Sequence, residues 1–123
     1  MNSSKTEKEP GVFIEHISQC IDLIESYTND VTIGDFFNSV QLQDSIIRRI
    51  EIIGEAVKNL PDDMKIDYPE VPWKEIAGMR DVLIHAYFGI DLDLTWEIIQ
   101  DDLPELKKNI AKIQNEIKNQ STI

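Results

Sequence analysis

Apolar residues recur at alternating intervals of four and three positions in several stretches, which is the pattern of an amphipathic helix. The first such stripe consists of Phe13, Ile17, Cys20, Ile24 and Tyr27. It predicts a first helix that begins at Pro10 and ends near the Asn29-Asp30 pair. Just beyond, Thr32 with Asp35 three residues later can cap another helix that begins with Phe36 and Phe37. The sequence leaves open whether this short segment continues into the next one.

The middle of the chain carries a wider apolar face. Its four-three stripe consists of Ile46, Ile50, Ile53, Val57 and Leu60. Ile47 and Ile52 extend this face beyond what one neighbouring helix would cover, which predicts a helix that is central or faces a second subunit. Pro61-Asp62-Asp63 should stop it, and residues 61–72, with three prolines, are expected to form the longest irregular connection.

A helix is predicted from the Pro72-Trp73 pair as far as Tyr87, because Gly89 offers the next stop. Its core face would contain Ile76, Met79, Leu83 and Ala86. Asp93 or Asp91 should cap a further helix through Trp96, and Asp102 with Pro104 should open the last. The last seam, which could close the bundle or pair with another chain, consists of Leu103, Leu106, Ile110, Ile113 and Ile117.

These patterns predict an all-α protein, an up-and-down bundle of four to five helices. We find no convincing strand alternation, internal repeat or low-complexity tract. The length of 123 residues favours one domain, over residues 10–120, after a disordered lead at 1–9. Cys20, the single cysteine, is expected to be a small buried hydrophobe. No signal peptide or membrane-spanning apolar run is evident, so we expect a soluble cytoplasmic protein without a membrane partner.

Charge limits the classes of partner. The chain has 23 acidic and 12 basic residues and a formal net charge of -11. Long-range attraction to a phosphate backbone is therefore not expected to drive its function. If the protein handles RNA, it needs a local concentration of cations, a basic partner, or a basic groove formed by self-association.

The sequence argues against several familiar kinds of site. A calcium loop at Asp91, Asp93 and Thr95 would need Gly where Trp96 stands. The two histidines and one cysteine lie too far apart for a zinc set, and no phosphate loop or nucleophile elbow occurs. We therefore predict no metal and no cofactor.

The remaining chemical candidates are Arg80, one of three arginines, and His85, one of two histidines. On one helix, Asp81 would share the face of His85 and could fix its tautomer. The spacing alone also fits an exposed arginine in an ion pair and a histidine at a helix end. Arg48 or Arg49 could add cation density or simply form ion pairs within their helix.

The sequence does not fix the roles of two further residues. Glu55 could hold Arg80 or face solvent, and His16 is expected to be structural. Neither assignment follows from spacing alone.

Four blocks of sequence resemble the HepT-like toxins of the HEPN superfamily. They are Ile-Ile-Gly-Glu-Ala at 52–56, Tyr68-Pro69, Pro72-Trp73 and Met79-Arg80-Asp81 through His85-Ala86-Tyr87-Phe88. The family signature, an arginine, a polar residue, a short spacer and His-x-Tyr, is complete. The resemblance covers about residues 12 to 115.

The resemblance implies a homodimer whose arginines and histidines line one cleft and cleave RNA, either tRNA or mRNA, without a metal. Arg80 would clamp phosphate and His85 would act as general acid or base. It also implies a neighbouring nucleotidyltransferase antitoxin that attaches AMP to Tyr87. The alternative is a non-catalytic helical partner, or nucleotide-binding subunit, of such a nucleotidyltransferase. The acidic composition favours this alternative, whereas the intact motif favours the ribonuclease.

Overall fold

The computed structural model describes residues 9–85 and 89–121, so most of the expected N-terminal lead, together with Ala86 and Tyr87, lies outside the described residues. The α-helices are α1 (Pro10–Thr28), α2 (Ile33–Phe37), α3 (Val40–Lys58), α4 (Asp62–Asp67), α5 (Trp73–Ala77), α6 (Met79–Leu83), α7 (Leu92–Glu97) and α8 (Leu103–Ser121). A π-helical turn, Ile98–Asp102, joins α7 to α8. Two short strands, β1 (Ile84–His85) and β2 (Gly89–Ile90), form an antiparallel pair.

Helix α3 is central, and the predicted all-α class is confirmed. It packs against α1 along most of its length and also against α2, α5 and α6. This explains its wide apolar face, since residues such as Ile50 and Ile53 are fully buried among several neighbours. Helix α8 lies against α1, so its apolar seam closes the fold within this chain.

Local capping separates α2 from α3. The Thr32 hydroxyl accepts from the backbone N–H of Asp35 at 3.0 Å, and the Asp35 carboxylate accepts from the backbone N–H of Thr32 at 3.1 Å. The predicted capping box is therefore present. Ser39 then caps α3 through the backbone N–H of Leu42. Two caps only a few residues apart make two helices, which answers the question that the sequence left open.

Two predicted connections differ from the structure. Residues 61–72 are not wholly irregular, because Pro61 occupies the N-cap of α4, where its missing N–H costs nothing. The last helix does not begin at Asp102 with a new cap. Backbone helicity instead continues from α7 into α8, and the Leu103 N–H donates to the Ile98 carbonyl across the π-helical turn. Pro104 cannot donate an N–H to the helix ladder, so a widened turn just before it is a physical accommodation.

Within the described ranges, no helix is both long enough and apolar enough to cross a bilayer.

Candidate active site

The segment that carries Arg80 and His85 is not one helix, so that prediction is wrong. Helix α5 ends at Ala77, Gly78 lies between the helices, and α6 ends at Leu83. Ile84 then adopts an extended conformation with φ -105° and ψ 122°. The cause is tertiary pairing, because Ile84 pairs with Ile90 and the Asp91 N–H donates to the Leu83 carbonyl at 2.7 Å. Gly89, at φ 77°, supplies the left-handed conformation that begins β2.

This break changes the partner of His85. Because His85 lies on β1 and Asp81 on α6, the two do not share a helix face, and that prediction is also wrong. Instead, His85 Nε2 lies 3.9 Å from Asp91 Oδ2. The other Asp91 oxygen, Oδ1, accepts from the Leu94 N–H at 3.0 Å and caps α7. Asp91 therefore faces the imidazole from an anchored position, although the sequence did not predict that it would be the partner of His85.

Arg80 lies between two carboxylates. Its Nε is 3.4 Å from Glu51 Oε2, and its Nη1 is 3.5 Å from Asp81 Oδ1. Asp81 thus contacts the arginine rather than the histidine. The side chain of Arg80 is 46% exposed and that of His85 48% exposed, so both candidate groups are accessible to a large substrate.

The structure separates the two neighbouring arginines of α3. Arg48 Nη1 lies 2.8 Å from Glu51 Oε1, so Arg48 and Arg80 contact the same carboxylate. Arg49 instead lies beside the thiol of Cys20. Burial raises the pKa of that thiol, and the Arg49 guanidinium opposes the increase. Arg48 therefore belongs to the candidate site, whereas Arg49 belongs to the interface between α1 and α3.

The two acidic residues of α3 also differ. Glu55 Oε2 pairs with Lys58 Nζ at 3.6 Å, and no contact joins it to Arg80 among the residues described. Glu51 makes that contact instead, although the sequence did not single it out. A helical repeat shows which residues are neighbours within α3, but it cannot show which of them faces α6.

Gly54 allows the two walls of the site to approach each other. A Cβ atom built on Gly54 would lie 3.1 Å from the Ala77 carbonyl oxygen, which is tighter than most Cβ contacts in proteins, so the backbone of α5 would have to shift slightly. The sequence singled out the block around Gly54 without explaining it. The absent side chain brings α3 against the end of α5. Beside this contact lies a polar cleft of about 170 Å³ whose lining includes Glu51, Lys58 and Arg80.

The remaining predicted residues lie elsewhere. Tyr87, the predicted modification site, lies outside the described residues. His16 is exposed on α1, where its ring contacts Phe13 edge to face at 6.3 Å. The structural role expected for His16 stays a prediction.

The arrangement offers two kinds of chemistry. An accessible imidazole beside a carboxylate can accept and donate a proton, and the carboxylate can stabilise the imidazolium that forms. A guanidinium with part of its surface open can bind phosphoryl oxygens. Glu51 and Asp81 balance the charges of Arg48 and Arg80, and Asp91 adds a further negative charge beside His85. These groups therefore carry no excess of positive charge.

Comparisons with known proteins show which family the chain resembles. Residues 17–113 match the family described as "Ribonuclease HepT-like". A Methanocaldococcus jannaschii protein named "Gamma-glutamylcyclotransferase and putative RNase" is 54% identical over 89% of this chain, and the match spans 50% of that protein. A "Probable ribonuclease HepT" of Thermococcus cleftensis is 45% identical over 83% of this chain and 93% of its own length. A "Putative RNase" of Caldanaerobacter subterraneus is 43% identical over 86% of this chain and 95% of its own length.

No solved structure matches the chain. The family match covers most of the sequence, and it includes Arg80, His85, Glu51 and Asp91. The chain therefore belongs to the HepT-like ribonuclease family.

Proposed function

We propose that this protein is a metal-independent endoribonuclease that cleaves RNA in a composite cleft of a homodimer. The observation that carries the proposal is the pairing of two half-exposed groups with carboxylates, His85 with Asp91 and Arg80 with Glu51. The relatives named as ribonucleases support it. The substrate class that we propose is tRNA or mRNA.

The residues suit cleavage by the ribose 2′-hydroxyl. His85 removes the 2′-hydroxyl proton, the oxygen attacks the adjacent phosphorus, and the bond to the 5′-oxygen breaks. The products are a 2′,3′-cyclic phosphate and a 5′-hydroxyl, whose proton must come from an acid. Arg80 neutralises the charge that develops on the nonbridging oxygens. Asp91 holds the imidazole and faces the cation that forms.

The need for two proton transfers argues for two chains. His16, the other histidine, lies on α1, where its ring packs against Phe13. A two-fold dimer would bring a second His85 to the same phosphodiester, one as base and one as acid. It would also double the number of arginines in the cleft.

The test is cleavage by purified protein in the presence of EDTA. We expect it to cut tRNA or mRNA and to leave 2′,3′-cyclic phosphate ends, and we expect expression of the chain alone to arrest cell growth. Cleavage that appears only after Mg²⁺ is added, or that leaves 5′-phosphate ends, would contradict the mechanism.

The proposed regulation is modification of Tyr87 by a cognate nucleotidyltransferase antitoxin. AMP on Tyr87, two residues from His85, would add an anionic group and bulk close to the catalytic residues and would exclude RNA. After co-expression with the nucleotidyltransferase encoded beside it, the protein should gain the mass of an adenylyl group. Peptide mass spectrometry should locate this group at Tyr87, and Tyr87→Phe should abolish the mass gain. An unmodified Tyr87 in the inactive complex would exclude this switch.

A second function is a non-catalytic helical partner, or nucleotide-binding subunit, of a nucleotidyltransferase. One observation favours it, namely that Arg80 is already paired with two carboxylates on a strongly acidic chain. Under this alternative, the protein forms the complex but leaves RNA intact, and His85→Ala has no effect on cell growth.

A further inference from the structure

The two carboxylate oxygens of Glu51 contact two different arginines. Oε1 lies 2.8 Å from Arg48 Nη1, and Oε2 lies 3.4 Å from Arg80 Nε. Arg48 and Glu51 are one turn apart on α3, whereas Arg80 comes from α6. The carboxylate therefore links a cation of the central helix to the candidate catalytic arginine.

The contacts leave part of each guanidinium available. Arg80 contacts Glu51 through Nε and Asp81 through Nη1, and its side chain is 46% exposed. Arg48 contacts Glu51 through Nη1, and its side chain is 62% exposed. Because both contacts end on one carboxylate, the two guanidinium groups can reach one phosphate or two neighbouring phosphates of a strand.

We propose that Glu51 is a positioning residue that aligns Arg48 with Arg80 as a two-arginine site for adjacent RNA phosphates. Arg80 takes the scissile phosphate and Arg48 takes its neighbour. This inference rests on the proposed ribonuclease function and assigns it one positioning residue and one substrate-binding residue. Neither role follows from the Arg80/His85 motif.

The negative charge of Glu51 predicts opposite effects on RNA binding and on the cleavage rate. The Glu51 carboxylate holds the arginines in place, but its negative charge also repels the incoming phosphates. Replacing Glu51 by Gln therefore has two opposite effects. RNA binding should stay equal or become tighter, whereas the cleavage rate should fall because Arg80 loses its alignment. A residue with a merely structural role would not separate binding from rate in this way.

Glu55 provides a matched control. It lies one turn beyond Glu51 on α3 and lines the same cleft, but it pairs with Lys58 and not with Arg80. Glu55→Gln removes the same charge from nearly the same place. It should therefore reproduce any gain in binding without the loss of rate.

The experiment combines two measurements on the full chain. Single-turnover cleavage of tRNA in EDTA gives the maximal rate, and fluorescence anisotropy with a 2′-O-methyl RNA oligonucleotide gives binding without cleavage. We expect Glu51→Gln to lower the maximal rate by about 10²-fold, the size of effect that a small misplacement of a catalytic group produces. Glu55→Gln should stay within a few-fold of wild type. Arg48→Gln should weaken oligonucleotide binding and reduce its salt dependence by about one phosphate contact.

The outcomes separate the two levels of the proposal. If wild type cleaves and Glu51→Gln behaves like Glu55→Gln, the positioning role is overturned and the ribonuclease function stands. If Glu51→Gln loses binding and rate equally, together with a lower Tm, Glu51 is structural and the inference also fails. If wild type does not cleave, the proposed function fails. A salt dependence of oligonucleotide binding that is lower in Arg48→Gln than in wild type would then still support the two-arginine site, whereas an unchanged salt dependence would overturn it.

Discussion

Removing either candidate catalytic group should lower the rate of RNA cleavage, by roughly 10²- to 10⁴-fold for the group that exchanges protons and by roughly 10²- to 10³-fold for the group that stabilises charge. His85→Ala removes the group proposed to exchange protons, and Arg80→Gln removes the cation proposed to stabilise the charged phosphorane. Both side chains are about half exposed, so neither substitution opens a cavity in the core. The measurement is single-turnover cleavage in EDTA, with the Tm of each variant as a test of folding.

Matched variants separate chemistry from surface effects. His16→Ala removes the other histidine, exposed on α1, and should retain the wild-type rate. Asp91→Asn preserves the N-cap of α7, because Asn caps as well as Asp does, but it removes the charge that faces His85. Its rate should lie between those of wild type and His85→Ala. Equal activity in His85→Ala and wild type would exclude the assignment of His85.

Much of the fold could be predicted because its long helices obey a simple period. The stripes of α1, α3 and α8 carry their own evidence, since residues such as Ile17, Ile50 and Ile113 recur at helical spacing and are all fully buried. The capping box of Thr32 and Asp35 could be predicted because it is a local arrangement, whose two residues lie three positions apart in the sequence.

The candidate site could be predicted only in part, because its geometry depends on contacts between segments. The apolar spacing from Ile76 to Leu83 is helical, yet the chain leaves the helix at Ile84 to pair with Ile90. Periodicity within one segment contains no information about that partner. The same limit hid the contact between Glu51 and Arg80, which depends on how closely the end of α5, just before α6, approaches α3 at Gly54.

The two proton transfers of the proposed reaction lead to a prediction about dimers. Cleavage by the 2′-hydroxyl requires one group to accept a proton and another to donate one. If the two copies of His85 share these roles in one cleft, a dimer with one wild-type chain and one His85→Ala chain loses one of the two transfers. Such a heterodimer should be nearly as inactive as the double mutant, with a rate lower than wild type by about 10²-fold or more.

The measurement uses two affinity tags to isolate the heterodimer, followed by single-turnover cleavage in EDTA. A heterodimer of wild-type and His16→Ala chains, prepared in the same way, should keep full activity and so controls for tagging and assembly. If each chain instead held a complete active site, the His85 heterodimer would retain about half of the wild-type rate, as expected for two independent sites related by two-fold symmetry. That result, or an active wild-type monomer in sedimentation analysis, would exclude a shared cleft and would require a second proton-transfer group within one chain. The carboxylate of Asp91, which already faces His85, would then be the first residue to test.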